Sequence, residues 1–246
     1  MITDFKTKLL LKKPLTKKVF LFRFLLLEPP TIEFQAGQYL ILKVKKNDSF
    51  IPRLYSIASS PFEKNSFELL VELVEGGLAS TYLSRLQQNN EVVFSGPAGF
   101  FTLKNDQKPI VFLTTGTGIA PCRSMIYQLQ KSDFDKKVYL FWGARFFDEV
   151  YLFDEWKNIA DKNPDFSFKI CLSREENLDK IDKENQKYFA LGHVNDGFEK
   201  QIIAQNLTQL NNFDYYLCGS RQVVESLKTY LEQKGVNKEN IYFERF

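Results

Sequence analysis

Apolar and polar positions change rhythm once along this chain. Up to about residue 105 the apolar residues come in short, strand-like runs. Lys8–Thr16 and Lys18–Leu27 are broken by Pro14, Pro29-Pro30 punctuates the next turn, and Gly37 precedes the run Gln38–Val44. Phe67–Val74 alternates Phe, Leu and Val with Glu68 and Glu72, the pattern of a strand with one wet face. After Gly76-Gly77, the spacing of Leu78, Tyr82 and Leu86 predicts a short helix over 78–86. Glu91–Phe94 and Gly99–Leu103 read as two strands with Gly96-Pro97 turning between them. Several strands at short intervals with one helix predict an antiparallel β-barrel over residues 1–105.

Beyond Lys104–Pro109 strands and helices alternate. Ile110–Leu113, Val138–Trp142, Phe166–Leu172, Tyr215–Cys218 and Ile241–Phe243 read as strands. Helices are expected over Pro121–Lys131, Phe153–Ala160, Asp196–Ala204 and Arg221–Lys234, the last stopped by Gly235. Such alternation predicts a second domain, residues 106–246, built as an α/β parallel sheet.

Composition narrows the chemistry. With 246 residues, 44% hydrophobic and 26% charged, the chain can bury two cores. One histidine (His193) and three widely spaced cysteines (Cys122, Cys171, Cys218) give no metal-ligand set, no cluster of four thiolates and no secreted-type disulfide framework. We expect no bound metal and a reducing, cytoplasmic setting. The run Val19–Leu27 is too short to span a bilayer and is interrupted by Arg23, and no signal-peptide core follows Met1, so no membrane insertion is expected. The first 105 residues carry a net charge of +5 and the remainder −2. The basic half shows no RNA-binding aromatic motif, which argues against nucleic acid. It is either a solvated lysine face or a surface that steers an acidic partner.

Three stretches carry candidate chemistry. Arg53-Leu54-Tyr55-Ser56 places a guanidinium, a ring and a hydroxyl together, a set suited to a flat anionic cofactor, although so short a string also arises by chance. Thr115-Gly116-Thr117-Gly118-Ile119-Ala120-Pro121 joins a strand to a helix. Its glycines allow a tight turn close to a diphosphate, and the helix N-terminus favours an anion. Gly76-Gly77-Leu78-Ala79-Ser80 repeats that logic in the first half. Each glycine stretch alone reads equally as an ordinary turn into a helix, but two phosphate cradles, one per domain, suggest two dinucleotides.

The order of these stretches resembles the ferredoxin–NADP⁺ reductase family, flavoproteins with an FAD-holding barrel and an NAD(P)H-holding sheet. Arg53–Ser56 resembles its RxYS flavin motif, Gly77–Ser80 its GxxS diphosphate motif, and Gly96–Phe101 the turn closing the barrel. Gly116–Pro121 resembles the nicotinamide-nucleotide loop, Leu217-Cys218-Gly219-Ser220 the strand end beside the nicotinamide, and Phe243-Glu244-Arg245-Phe246 the acidic-then-aromatic terminus. The resemblance implies that Arg53 pairs with the flavin diphosphate, Tyr55 packs on the isoalloxazine and Ser56 bonds near flavin N5. Gly77, Leu78, Ala79 and Ser80 would cradle the diphosphate; Gly116, Thr117, Gly118, Pro121 and Gly219 would line the nicotinamide site. Cys218 and Glu244 would complete a catalytic set with Ser56, and Phe246 would stack on the flavin until nicotinamide displaces it. Read without the family, Cys218 is a buried strand-end thiol and Phe246 a core aromatic.

Ala144-Arg145 and Ser173-Arg174 resemble the family's 2′-phosphate binders, so NADPH is favoured over NADH, with His193 a weaker substitute for an arginine or a structural loop residue. The implied activity is hydride transfer from NAD(P)H to FAD, then single electrons to a separate small acidic carrier (ferredoxin or flavodoxin) or an oxygenase component. A monomer is expected. The alternatives are an NAD(P)H:flavin reductase that uses free flavin, and a non-catalytic electron-transfer subunit.

Overall fold

The first alternating run becomes β1 (Thr3–Pro14), which buries Phe5, Thr7 and Leu9 on one face. It lies antiparallel between β2 (Val19–Glu28) and β6 (Glu91–Ala98). With β3 (Tyr39–Lys46), β4 (Ser49–Ser56) and β5 (Ser66–Glu72) the sheet has the order β4-β3-β6-β1-β2-β5. The sheet curls so that the chain leaving β4 meets β5, through an Ile57–Leu69 bridge and an Ala58 N–H to Glu68 carbonyl bond of 2.8 Å. Its interior explains the many phenylalanines. Phe24, Phe67 and Phe94 pack with ring centroids 5.0–5.5 Å apart, two of the pairs edge-to-face. Such geometry is worth about 0.5–1.5 kcal/mol per pair beyond burial. Helix α1 (Leu78–Arg85) sets Ala79 and Leu83 into this core. The Lys12 ammonium, half-buried near the Phe20 and Phe22 rings, donates to the Ser84 and Leu86 carbonyls at the end of α1, where orphan acceptors favour a cation.

The computed structural model describes residues 2–204 and 209–246. They form two compact units, Met1–Lys104 with Ala120–Gln128, and Asn105–Ile119 with Leu129–Phe246. Within the first, the buried Arg123 guanidinium donates to the Ala58 carbonyl (3.0 Å) and the Glu68 carboxylate (2.7 Å).

One expectation for the first half fails. Gly96-Pro97 does not turn between two strands: β6 runs through it, and Gly99–Leu103 is not a strand. Pro97 has no N–H to give a ladder. It sits between Gly96, which pairs with Thr3 of β1, and Ala98, which pairs with Tyr39 of β3 across a register shift between Tyr39 and Ile41. Proline within a sheet is tolerated at such a bulge.

In the second unit, β7 (Ile110–Thr115), β8 (Val138–Ala144), β9 (Phe166–Leu172), β10 (Phe189–Leu191), β11 (Asp214–Gly219) and β12 (Ile241–Arg245) are all parallel, in the order β10-β9-β8-β7-β11-β12. Helices α2 (Ile119–Lys131), α3 (Phe153–Lys162), α4 (Val194–Ala204) and α5 (Arg221–Gln233) connect the strands. Every residue of β11 is buried, as expected of a central parallel strand covered on both faces. The connection reverses direction between β7 and β11, and beyond the carboxyl ends at such a switch point an open parallel sheet offers a ligand crevice. His193 begins α4. Its backbone N–H donates to the Asp196 carboxylate (2.8 Å) and its carbonyl accepts from the Asp196 and Gly197 N–H groups, so its place is that of a helix cap.

Candidate active site

Arg53, Leu54, Tyr55 and Ser56 form the end of β4, an edge strand of the first sheet. They pair in register with Leu42, Ile41, Leu40 and Tyr39. Leu54 is 57% exposed and Arg53 is exposed, with one guanidinium N–H on the Pro52 carbonyl (2.8 Å). Tyr55 is half-buried against the phenylalanine core. Burial pushes its phenol up to about 12, against the opposing pull of the Arg53 charge, so it keeps its proton at neutral pH.

In the same unit the cap of α1, Gly77, has no side chain to bond the helix N–H groups, and the first turn carries no acid. The first helical bond is Thr81 N–H to the Gly77 carbonyl (2.8 Å), so the N–H groups of Leu78, Ala79 and Ser80 precede the intrahelical ladder. The Ser80 hydroxyl accepts from the Val74 N–H (2.9 Å) and braces the loop. An uncapped, acid-free helix start and an exposed strand end with an arginine and an apolar side chain fit the diphosphate and ring of FAD.

In the second unit the loop after β7 begins at Gly116, in the left-handed region at φ +54°. Its carbonyl accepts from Trp142 Nε1 (3.0 Å) and the Tyr151 hydroxyl (2.9 Å). Gly118 serves a different purpose. A Cβ there would lie 2.5 Å from the Cys218 carbonyl oxygen, 2.7 Å from its carbon and 2.9 Å from the Gly219 nitrogen. A Cβ on Gly219 would lie 2.5 Å from Thr115 Oγ1. These glycines let the loop and the end of β11 touch backbone to backbone. A turn of 3₁₀ helix at Gly116–Gly118 takes the Ile119 N–H and runs straight into α2, whose start has no side-chain cap and no first-turn acid, which suits a nucleotide phosphate; Pro121 is buried in the first turn and Thr117 is half-buried. Cys218 is fully buried and pairs in register with Thr114 and with Glu244, so the thiol and the carboxylate belong to adjacent strands at one level. Phe246 is 64% exposed; its N–H donates to the Gly219 carbonyl (3.3 Å) and its carbonyl accepts from the Arg221 N–H (3.2 Å).

Past the ends of β8 and β9 the backbones stay joined, Ser173 N–H to the Ala144 carbonyl (3.0 Å) and Arg174 N–H to the Arg145 carbonyl (2.9 Å), so the two arginines are neighbours. The Ser173 hydroxyl also donates to the Ala144 carbonyl (3.3 Å). The sequence reading missed Trp142, Tyr151 and Glu149. No motif marks the first two, whereas Glu149 lies four residues after Arg145, in reach of it.

The comparisons with known proteins agree with this fold and its two domains. Residues 6–103 match the oxidoreductase FAD-binding domain, and residues 112–229 the oxidoreductase NAD-binding domain. The chain belongs to the ferredoxin–NADP⁺ reductase family. This reductase is 29% identical, over its whole length, to 68% of the propane 2-monooxygenase reductase component of Gordonia sp.. It is 32% identical over 87% of its length to the phenol hydroxylase P5 protein of Acinetobacter pittii, of which it covers 58%. Among solved structures it resembles the Amycolatopsis cytochrome P450 reductase GcoB (TM-score 0.86, 25% identity, all of this chain and 70% of that one). The fold is also that of a Neisseria gonorrhoeae ferredoxin–NADP⁺ reductase with bound FAD and NADP (TM-score 0.80, 24% identity, 99% and 98%). The reductase is thus a flavoprotein oxidoreductase with an FAD-binding and an NAD-binding domain.

Proposed function

We propose that the chain is an FAD-dependent reductase that takes hydride from NAD(P)H and passes electrons singly to a separate acceptor protein. The observation that carries the reading is the pair of glycine-led, acid-free helix starts with no side-chain cap, at Gly77 and at Gly118, one in each matched domain. Bound FAD supplies the hydride acceptor and the change from two-electron to one-electron transfer. The protein binds, orients and shields. The Arg53 guanidinium and the α1 N–H groups neutralise the flavin diphosphate, and Tyr55 and Leu54 border its ring. Ser56 holds the polar edge of that ring. Gly118 lets the nicotinamide loop close on Cys218, whose small side chain leaves room for the reacting carbon, and Glu244 sets the polarity beside it.

The acceptor is a small acidic electron carrier or an oxygenase component, in keeping with relatives named as reductase components of monooxygenases. Exposed Lys13, Lys17 and Lys18, at the β1–β2 turn, offer it a positive surface. The three buried cysteines, none of them in a disulfide, suit a reducing cytoplasm, and the reductase works there as a monomer with domains 1–105 and 106–246. Anaerobic mixing of the purified yellow protein with NADH or NADPH should bleach the flavin; no bleaching with either overturns the reading. Colour lost on desalting would assign flavin as a substrate instead. Ser56→Ala should keep FAD bound yet slow bleaching, whereas loss of flavin would move Ser56 from the reacting edge to the binding site.

A further inference from the structure

Strand β1 breaks its own alternation, and the break points a lysine at helix α1. Phe5, Thr7 and Leu9 face the core, so strict alternation would put Leu11 inside with them and Lys12 outside. A register shift intervenes: Leu9 pairs with Phe24 but Leu11 with Arg23, so β1 carries one extra residue, Leu10. Such a bulge re-aims the side chains beyond it. Leu11 is left 43% exposed, and the half-buried Lys12 pairs with the fully buried Phe22 on the inner face. Exposing a leucine and half-burying an ammonium runs against the hydrophobic pattern, so the ammonium needs partners. It finds them at the carboxyl end of α1, in the Ser84 carbonyl and the Leu86 carbonyl (3.5 Å), with the Phe20 and Phe22 ring centroids 5.9 and 6.0 Å away. The turn after α1 is tied to the same part of β1, by the Asn89 N–H to the Leu9 carbonyl (2.8 Å) and the Leu9 N–H to the Asn90 carbonyl (3.0 Å).

Helix α1 has only eight residues, of which Ala79 and Leu83 are buried. So short a helix is not stable alone, and its order comes from tertiary contacts such as this one. Its two ends are about 12 Å apart, so a swing at the Lys12 end displaces the Leu78, Ala79 and Ser80 N–H groups at the other. We propose that Lys12 is a positioning residue for FAD: by holding the carboxyl end of α1 it aims the start of that helix at the cofactor's diphosphate. The inference rests on the reading above, in which the Gly77 helix start meets the diphosphate. Lys12 and α1 both lie within the matched FAD-binding domain, residues 6–103. Arg85 puts a second cation in the last turn of α1 but is exposed, so its removal separates the effect of charge from that of the clamp.

Fluorescence titration of the full chain, stripped of flavin, tests the proposal with FAD and with riboflavin, which carries no phosphate. Lys12→Met should weaken FAD binding about tenfold, the loss expected when the loosened helix holds its binding orientation about a tenth of the time, and should leave riboflavin within about twofold. Lys12→Arg, which keeps a long cationic donor, should restore FAD affinity, and Arg85→Met should leave it at the wild-type value. Amide hydrogen exchange should be faster in α1 of Lys12→Met and unchanged in β6. If Lys12→Met fails to fold, Lys12→Gln, which keeps N–H donors without the charge, carries the same comparison. Unchanged FAD affinity, an equal loss for FAD and riboflavin, no recovery in Lys12→Arg, or the same loss in Arg85→Met overturns the proposal. If the wild-type chain binds riboflavin as tightly as FAD, the reading of the Gly77 helix start as a diphosphate site falls, while the exchange rates of α1 still report the Lys12 clamp.

Discussion

Gly118→Ala is the sharpest probe of how the loop proposed to hold the nicotinamide is placed. The added methyl would meet three backbone atoms, the nearest 2.5 Å away at the Cys218 carbonyl oxygen, and backbone cannot swing aside as a side chain can. Restoring an ordinary 3.4 Å contact requires the loop or the β11 end to retreat by about 0.9 Å. Hydride transfer depends on reacting atoms held about 3–3.5 Å apart, and a misplacement near 1 Å costs roughly 100-fold in rate. The same overpacking should cost about 1–3 kcal/mol of stability. Stopped-flow bleaching of the flavin at saturating nucleotide, together with thermal unfolding, separates the two effects. Gly235→Ala is the control. Gly235 follows α5 at φ +85° with nothing within 4 Å of a Cβ, so alanine there strains the backbone by roughly 1–2 kcal/mol without touching the loop. We expect Gly118→Ala to bleach slowly and Gly235→Ala at the normal rate. A Gly118→Ala rate within about threefold of wild type would refute the view that close backbone contact sets the hydride distance.

Three further outcomes are expected. Arg123→Ala leaves Glu68 without its 2.7 Å partner where Arg123 is 6% exposed; loss of a buried pair costs about 3–5 kcal/mol, and adding Glu68→Gln should restore part of it. A change in Tm under about 2 °C would show that the pair contributes little. Asp214, 1% exposed with Lys108 at 3.8 Å, is pushed up from 3.8 to about 6 by burial and by Asp106. A raised carboxyl favours its neutral form, so its contribution is fully present below pH 3.8 and is lost as pH rises through about 6. Asp214→Asn should therefore gain up to about 3 kcal/mol at pH 7.5 and little at pH 4, read by denaturant unfolding at each pH; no gain at pH 7.5 would dismiss the linkage. Reversing Lys13, Lys17 and Lys18 to Glu should raise the KM for the protein acceptor at low salt and leave flavin bleaching by nucleotide unchanged, and an unaltered KM would place the docking surface elsewhere.

The parts of this fold that were legible in the sequence are those fixed by local rhythm. Phe166–Leu172 becomes β9 with the expected bounds, and the apolar stripe expected over Arg221–Lys234 becomes α5, packed on the sheet through Val224, Leu227 and Leu231. Alternation and helical spacing are properties of one segment, and burial of one face suffices to enforce them. What stayed hidden depends on partners far along the chain. Gly96-Pro97 reads as a turn until β1 and β3 stand on either side of it, when it becomes the bulge at which β6 changes neighbour. Gly118 reads as a turn residue, yet its missing Cβ is demanded by the Cys218 carbonyl, 100 positions away. The sharpest case is Arg145. A motif records that a guanidinium is present; whether it can bind a phosphate depends on which acceptor already holds it. The four-residue spacing to Glu149 would signal a pair on an α-helix, but Ala144-Arg145 read as a strand end, where that rule has no force. Only the 3₁₀ turn at Phe147–Glu149 folds the carboxylate back onto the guanidinium. Ligand chemistry inferred from residue types is thus an upper bound on what a site can hold, and the hydrogen bonds among its own members set how much remains for the ligand.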